Sequence, residues 1–202
     1  MTDKPWDARA AAWLIRPFID SPRVMPNHFT ALRLLVGLAG AACFALGDMP
    51  NLAALLIVAS NFLDHTDGEL ARLGGKGSRF GHYFDLAADA MVTIGRFVGI
   101  GIGLAPASGH GSILMGIVAG LAVALIFHLR YLIEEALGKD ATRQPRLGGF
   151  EAEDVLYLLP LVTLSGLLDG FLAAAAVGAP LAAALVVAQY LRVMHGRGPA
   201  AP

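Results

Sequence analysis

The chain has a single cysteine in 202 residues, Cys43, set in an apolar run. An internal disulfide is therefore excluded, and with it the small secreted scaffolds that depend on such bridges. Charge is also scarce: Asp, Glu, Lys and Arg make up 15% of the residues, where a soluble domain carries about 25%. The formal net charge of -1 leaves no basic excess to grip a phosphate backbone, so no nucleic-acid partner is expected. No cleavable leader is expected either, because the first residues, MTDKPWDARAAAWLIRPF, are broken by charges and prolines. What is abundant is hydrophobic residues, at 56%, and glycine, at 24 residues. That composition belongs to an integral, multi-pass membrane protein whose helices pack through small residues.

The fold class expected is all-α, in one membrane domain covering residues 1–202. About 20 apolar residues cross a bilayer, and six spans fit, at about 29–47, 51–73, 82–105, 113–133, 155–168 and 172–190. Residues 4–20 read as an amphipathic helix in the membrane interface, with Trp6, Trp13, Leu14, Phe18 and Ile19 toward lipid headgroups and Lys4, Arg9 and Arg16 toward water. Thirteen of the fifteen Lys and Arg fall at the termini or in alternate connections, and the remaining two, Arg33 and Arg96, lie within spans. The excess of basic residues on one side predicts cytosolic termini and a cytosolic location for the connection after Leu73.

That connection separates four carboxylates. The stretch DHTDGELARLGGKGSRFGHYFDLAAD holds Asp64 and Asp67 near the end of one span, and Asp85 and Asp89 near the start of the next. At 3.6 residues per turn, Asp64, Asp67, Gly68, Ala71 and Arg72 share one face, and Gly81, Asp85 and Asp89 line one stripe. A turn at Gly74–Arg79 folds the two helices into an antiparallel pair and brings all four acids to one level. So many carboxylates in apolar surroundings need cations, and Arg72 alone does not neutralise them. Oxygen-only ligands suit hard ions, Mg²⁺ or Mn²⁺, two of them, arranged as a clamp for phosphoryl oxygens. Gly68, Ala71 and Gly81 leave room for a flat base or a diphosphate to approach the backbone.

The pattern Asp-x2-Asp-Gly-x2-Ala-Arg-x8-Gly-x3-Asp-x3-Asp is filled at all eight fixed positions, Asp64, Asp67, Gly68, Ala71, Arg72, Gly81, Asp85 and Asp89. It resembles the signature of the CDP-alcohol phosphotransferase family. The resemblance implies transfer of a substituted phosphate from a CDP-linked lipid donor, typically CDP-diacylglycerol, to a small polar alcohol, releasing CMP, in a bacterial or archaeal cytoplasmic membrane. It implies metal ligation by Asp64, Asp67, Asp85 and Asp89, with Asp89 also the general base, and a nucleotide site built from Asp67, Gly68, Ala71, Arg72 and Gly81. Arg72 would hold the motif helices together or meet a phosphate. The Pro26-Asn27-x-x-Thr30 entry to the first span is similar to the family's too, which adds Asn27 and Thr30 to the nucleotide site; on its own terms Asn27 reads as a helix N-cap. Family members are commonly homodimers, so a homodimer in contact with membrane lipids is expected.

Four further readings come from the remaining polar residues. Arg33 is placed to snorkel or to pair with a motif carboxylate rather than to bind substrate. Arg96, two turns beyond Asp89 on nearly the same stripe, is either a substrate contact or a structural pair with an acid of a neighbouring helix. Arg130, Arg143, Arg146 and Arg192, with Arg96, form a basic set that would bind a phosphate on the acceptor or only anionic headgroups. His65 and His82 flank motif acids without a Cys–His set to make a zinc site. A cation or proton transporter using intramembrane acids is the alternative function; it requires acids spread through the bilayer depth rather than gathered at one level.

Overall fold

The structure is a computed structural model that describes residues 6–138 and 156–196. Among these residues the secondary structure is helical throughout: α1 Trp6–Leu14, a 3-10 turn Arg16–Phe18, α2 Pro26–Leu46, α3 Pro50–Leu73, α4 Arg79–Ser108, α5 Gly111–Leu137, α6 Leu159–Leu164 and α7 Leu168–Gly196. The punctuation is local chemistry. Proline, whose missing N–H costs nothing in a first turn, opens both α2 and α3. Gly47 closes α2 with φ 80°, a left-handed conformation that allows the chain to reverse within three residues. At the other turn Gly75 takes φ 60°, and the Ser78 hydroxyl caps α4 by accepting from the Gly81 N–H at 3.0 Å.

α2 packs between α3 and α4, and α5 packs on α4 and on α7. The core runs through the middle of this set, with Phe44, Ala53, Ala54, Ile57, Val92, Phe97 and Ile100 at its centre. Helix axes approach to backbone contact where glycines lie. A Cβ on Gly99 would collide with the Ala41 backbone, one on Gly103 with the Phe44 carbonyl, and one on Gly116 with the Phe97 carbonyl. In lipid, where apolar side chains gain little by leaving one another's company for acyl chains, such close approach is what holds helices together. Ser112 at the head of α5 adds a hydrogen bond to the Gly101 carbonyl at 2.7 Å.

Among the described residues four helices, α2, α4, α5 and α7, are long and apolar enough to cross a membrane, where six spans were expected. α3 has the length, at 24 residues, but its C-terminal part from Asp64 onward carries Asp64, Asp67, Glu69 and Arg72 in place of apolar side chains. The expected span at 155–168 contains only the six-residue α6, and Val155 lies outside the described residues. The N-terminal segment also departs from expectation. Its helix stops at Leu14 and tightens into the 3-10 turn at Pro17, and its anchors are Ala11 and Ile15, both buried in a segment that packs on α3, rather than the exposed Trp13. Lys76, counted from sequence as a free connection charge, is tied down: its ammonium donates to the carbonyls of Phe18, Ser21 and Val24 at 3.0, 2.7 and 3.1 Å. It thereby fixes the α1–α2 connection to the α3–α4 turn.

Backbone contact at Gly99 and open space at Gly178, which has nothing within 4 Å, make a matched pair. Gly99→Ala is expected to destabilise the protein by about 1–3 kcal/mol through overpacking. Gly178→Ala is expected to be neutral or to stabilise by up to about 1 kcal/mol through helix propensity. Thermal unfolding in detergent reads both; equal shifts would mean that α2 and α4 are not in contact at this point.

Candidate active site

Three helices deliver the site. Thr30 and Arg33 come from the first two turns of α2, Asp64 and Asp67 from the last three turns of α3, and Asp85 and Asp89 from the second and third turns of α4. α3 and α4 both pack on α2, which lies between them in place of the direct α3–α4 pair expected from sequence, and the four carboxylates meet at one level across α2.

They meet around Arg33. Its side chain is 3% exposed, and its Nη2 lies 2.6 Å from Asp85 Oδ1 and 3.2 Å from Asp64 Oδ1. Nη1 lies 2.8 Å from Asp89 Oδ1, and Nε lies 3.5 Å from Asp67 Oδ2. Nη2 also donates to the Asp85 carbonyl at 3.0 Å. Asp67 is held from a second side by the Thr30 hydroxyl, which donates to Oδ2 at 2.7 Å. One guanidinium against four carboxylates leaves a formal charge of -3 when all are ionised. Asp67 is enclosed, whereas Asp64, Asp85 and Asp89 keep 29%, 38% and 42% of their side-chain surface open. A ligand can therefore reach three of the acids.

Asp64, Asp67 and Asp85 each present a carboxylate oxygen, the three lying within 4.8 Å of one another. Opposite oxygens on an octahedral Mg²⁺ are roughly 4 Å apart, given bonds of about 2.1 Å. Hard, anionic donors at this separation suit Mg²⁺ or Mn²⁺. Asp89 is outside this trio and joins the cluster through Arg33.

Below the acids opens a cavity of about 740 Å³ that reaches from Asp64, Asp85 and Asp89 to Arg96. Its α4–α5 wall includes His82, whose ring packs on Tyr131 at 5.0 Å, together with His128 and Arg130.

The family described as CDP-alcohol phosphatidyltransferase matches residues 23–190, a stretch that contains every residue just described. The chain belongs to that family. It is 31% identical over 183 residues, 89% of its length, to a bifunctional IPC transferase and DIPP synthase of Rubrobacter xylanophilus, of which it covers 39%. Over 91 residues, 45% of the chain, it is 35% identical to a CDP-diacylglycerol–serine O-phosphatidyltransferase of Mycobacterium leprae, of which it covers 27%. The chain thus spans well under half the length of these curated relatives. Its fold is similar to that of Mycobacterium tuberculosis phosphatidylinositol phosphate synthase. The structure of that protein with CDP-DAG bound aligns with a TM-score of 0.58 at 22% identity, covering 94% of this chain and 92% of the other. Its complex with manganese and citrate aligns with a TM-score of 0.57 at 21% identity, covering 94% and 87%.

Several sequence-derived roles need correction. Asn27 is not the N-cap of α2; Met25 is, its N–H donating to His28 Nδ1 at 3.3 Å. Asn27 instead packs its Oδ1 where a Cβ on Gly81 would lie, 2.6 Å away, so the space at Gly81 is taken by Asn27 rather than left open. Gly68 has nothing within 4 Å and is open as expected. Arg72 does not bridge the motif helices: half-exposed, it pairs with Glu69 on its own helix at 2.5 Å. Of the basic acceptor set, Arg96 and Arg130 line the cavity, Arg192 is exposed on α7 away from it, and Arg143 and Arg146 lie outside the described residues. Asn61 lines the cavity as well and was not singled out, although it precedes Asp64 by one turn on the same face.

Arg33 is the residue whose loss these contacts make most costly. Arg33→Met leaves four carboxylates facing one another, and removing one partner of a buried ion network costs about 3–5 kcal/mol. The lower end, about 3 kcal/mol, is expected because Asp85 and Asp89 remain partly solvated. Thermal unfolding of the variant in chelator and in Mg²⁺ provides the check. A large loss in chelator that Mg²⁺ partly restores is the expected result; an unchanged Tm in chelator would show that Arg33 does not hold the carboxylates together.

Proposed function

We propose that this protein transfers a substituted phosphate from a CDP-linked lipid donor of the CDP-diacylglycerol class to a small polar alcohol, releasing CMP. The observation that carries this is the trio Asp64, Asp67 and Asp85, with ligand oxygens within 4.8 Å, beside the open Asp89 and at the mouth of a 740 Å³ cavity. The carboxylates of Asp64, Asp67 and Asp85 hold the metal site, and bound Mg²⁺ or Mn²⁺, two ions in this reading, neutralises charge on the donor diphosphate. Thr30 keeps Asp67 turned by holding Oδ2. The open backbone at Gly68 receives the flat cytosine, with Ala71, Gly81 and Asn27 completing that wall and Arg72, on the exposed side, meeting phosphate. Asp89, one turn beyond Asp85 and outside the trio, takes the proton of the acceptor hydroxyl as its oxygen bonds to phosphorus and the bond from phosphorus to CMP breaks.

The same reading gives six crossings with the site on the cytosolic side. α2 and α4 both start at the level of Arg33, so α3 has to return across the full thickness between them. Ser108 at the end of α4 bonds Asp169 at the start of α7, and Ser112 at the start of α5 bonds Gly101 near the end of α4. α5 and α7 therefore begin at the same far level, and the fifth crossing of this reading stays the one expected at about 155–168. α1, with Trp13 exposed, lies in the interface, and the apolar outer face of α7 meets acyl chains and, in a homodimer, the second copy. The gathering of all four acids at one level argues against a transporter, which needs them distributed in depth.

Two substitutions separate the roles. Asp89→Asn is expected to lower kcat by about 10²–10⁴-fold while leaving Mg²⁺-dependent CDP binding intact, whereas Asp67→Asn weakens nucleotide and metal binding together. CMP release from CDP-diacylglycerol, measured beside CDP binding for each variant, is the test. Full turnover after exhaustive chelation would rule out the metal site, and equal loss of CDP binding in both variants would make Asp89 a ligand and not the base.

Topology is tested by reporters. One fused after Pro202 is expected to behave as cytosolic and one inserted at Ser108 as external. The reverse pair of results would overturn the sidedness.

A further inference from the structure

The deep end of the cavity holds two donors that the protein does not answer. Arg96 is 5% exposed, and its guanidinium carbon lies 5.2 Å from the centre of the Phe97 ring, which covers one face. The Arg96 Nε–H has no hydrogen-bond acceptor, and among the described residues no carboxylate comes within ion-pairing distance of this side chain. The nearest acid in charge, Asp89, is already bound to Arg33 at 2.8 Å. Asn61 Nδ2 is likewise buried without an acceptor. The two face one cavity from different helices, Asn61 one turn beyond Asp64 along the acid face of α3 and Arg96 two turns beyond Asp89 along α4. A structural pair for Arg96 is thus missing from the described residues. An arginine inside the membrane is costly unless something anionic meets it, and orphan buried donors are costly for the same reason.

A ligand that satisfies both groups must bring acceptor oxygens and negative charge. Seven residues of helix separate Asp89 from Arg96, a rise of about 10 Å, which both side chains shorten by reaching toward each other. A molecule of a few carbons spans the remainder. The separation also keeps an anion away from the carboxylates, which would repel it at their own level. We propose that the Arg96–Asn61 end of the cavity is an oxyanion subsite for the acidic group of the acceptor alcohol, a phosphate monoester or a carboxylate, which orients the acceptor hydroxyl toward Asp89. This rests on the transferase reading of the same cavity, and it gives the acceptor an anionic group that a neutral polyol or a purely cationic amino alcohol lacks.

The full-length protein in detergent with Mg²⁺ and CDP is titrated with three matched pairs: glycerol 3-phosphate and glycerol, inositol phosphate and inositol, and L-serine and ethanolamine. The phosphate arms and the carboxylate arm distinguish the two sources of oxyanion. The acidic member of one pair is expected to bind and to raise Tm where its neutral or cationic counterpart does not. Arg96→Met is expected to weaken that binding by about 10- to 100-fold, the scale of a charged hydrogen bond, with Arg96→Lys recovering part of it and Mg²⁺-dependent CDP binding unchanged. Asn61→Ala, on another helix, is expected to weaken it in the same direction and serves if Arg96→Met does not fold. Equal binding of both members of every pair, or full acidic-alcohol affinity in Arg96→Met, would overturn the subsite. So would joint loss of CDP and acceptor binding in folded Arg96→Met, which would make Arg96 a counter-ion of the carboxylates. CMP release followed in the same samples keeps the two questions apart. No release with any alcohol would refute the transferase reading, while Arg96-dependent binding of an acidic alcohol would still support an oxyanion site.

Discussion

Everything at the acid-bearing end of this bundle is arranged around one buried guanidinium. Arg33 touches all four motif carboxylates and the Asp85 carbonyl, and it does so from the second turn of α2. Five N–H donors in a planar fork are what make this possible; a lysine in the same place would offer a point charge and satisfy fewer oxygens. The contact sets the relative heights of three helices. If α3 slid by one turn against α2, Asp64 and Asp67 would leave the fork, and the fork would keep only the α4 acids. The hydrophobic contacts do not supply this discrimination. A glycine-rich seam tolerates sliding better than a ring of charge does, and the seam at Gly99, Gly103 and Gly116 explains closeness rather than register. Ser60 reinforces the arrangement by donating to the Arg33 carbonyl at 2.8 Å, and so locks α3 to the turn of α2 that carries the arginine.

The same arithmetic explains why a site so well bonded still calls for metal. Arg33 holds Oδ1 of Asp64, Asp85 and Asp89 and lies nearest Oδ2 of Asp67, which leaves the second oxygen of each carboxylate outside those contacts. The arginine thus works as an organiser, presenting the remaining oxygens at fixed spacing while leaving most of the negative charge uncompensated. A divalent cation enters a field already shaped for it, with little reorganisation, which is the condition under which electrostatic stabilisation is most effective. The enclosed Asp67, fixed by both Thr30 and Arg33, is the rigid corner of the trio. Asp89 is the most open of the four and lies outside the trio.

Much of this was legible in the sequence because period and charge leave few alternatives. Acids at i, i+3 on one apolar helix and i, i+4 on the next, with a glycine-rich turn between, were bound to reach one level, but the two helices do not pair directly: α2 lies between them. Arg33 pairing with a motif carboxylate was likewise readable from an arginine three residues after Thr30. Its service to all four at once was not, because that depends on the distance between helix axes, which is set by glycines far from the site. Asn27 misled for a related reason: a Pro-Asn pair looks like a helix entry with Asn as cap, but the helix begins one residue earlier, and Asn27 answers to Gly81 on another helix. Arg72 misled because composition cannot tell whether a motif arginine turns inward or finds Glu69 on its own face. α3 falls outside the four candidate spans because the residues that make the site are those that make the helix polar.

The two intramembrane arginines show how partner count separates structure from recognition. Arg33 is buried among four carboxylates: its Nη1 and Nη2 are hydrogen-bonded, and its Nε, without a hydrogen-bond acceptor, still lies 3.5 Å from Asp67 Oδ2. Arg96 is buried equally and faces a void, with an aromatic ring on one side and an unanswered Nε–H. Both carry the same charge on the same scaffold, and hydropathy does not distinguish them. If Arg96 existed only to offset the acids, the low dielectric would draw it toward Asp89, as it draws Arg33, and α4's own periodicity would allow the approach. Arg33 already occupies that oxygen. Arg96 is thus held at depth on the wall of the cavity that opens beside the acids, with its Nε–H unanswered by the protein.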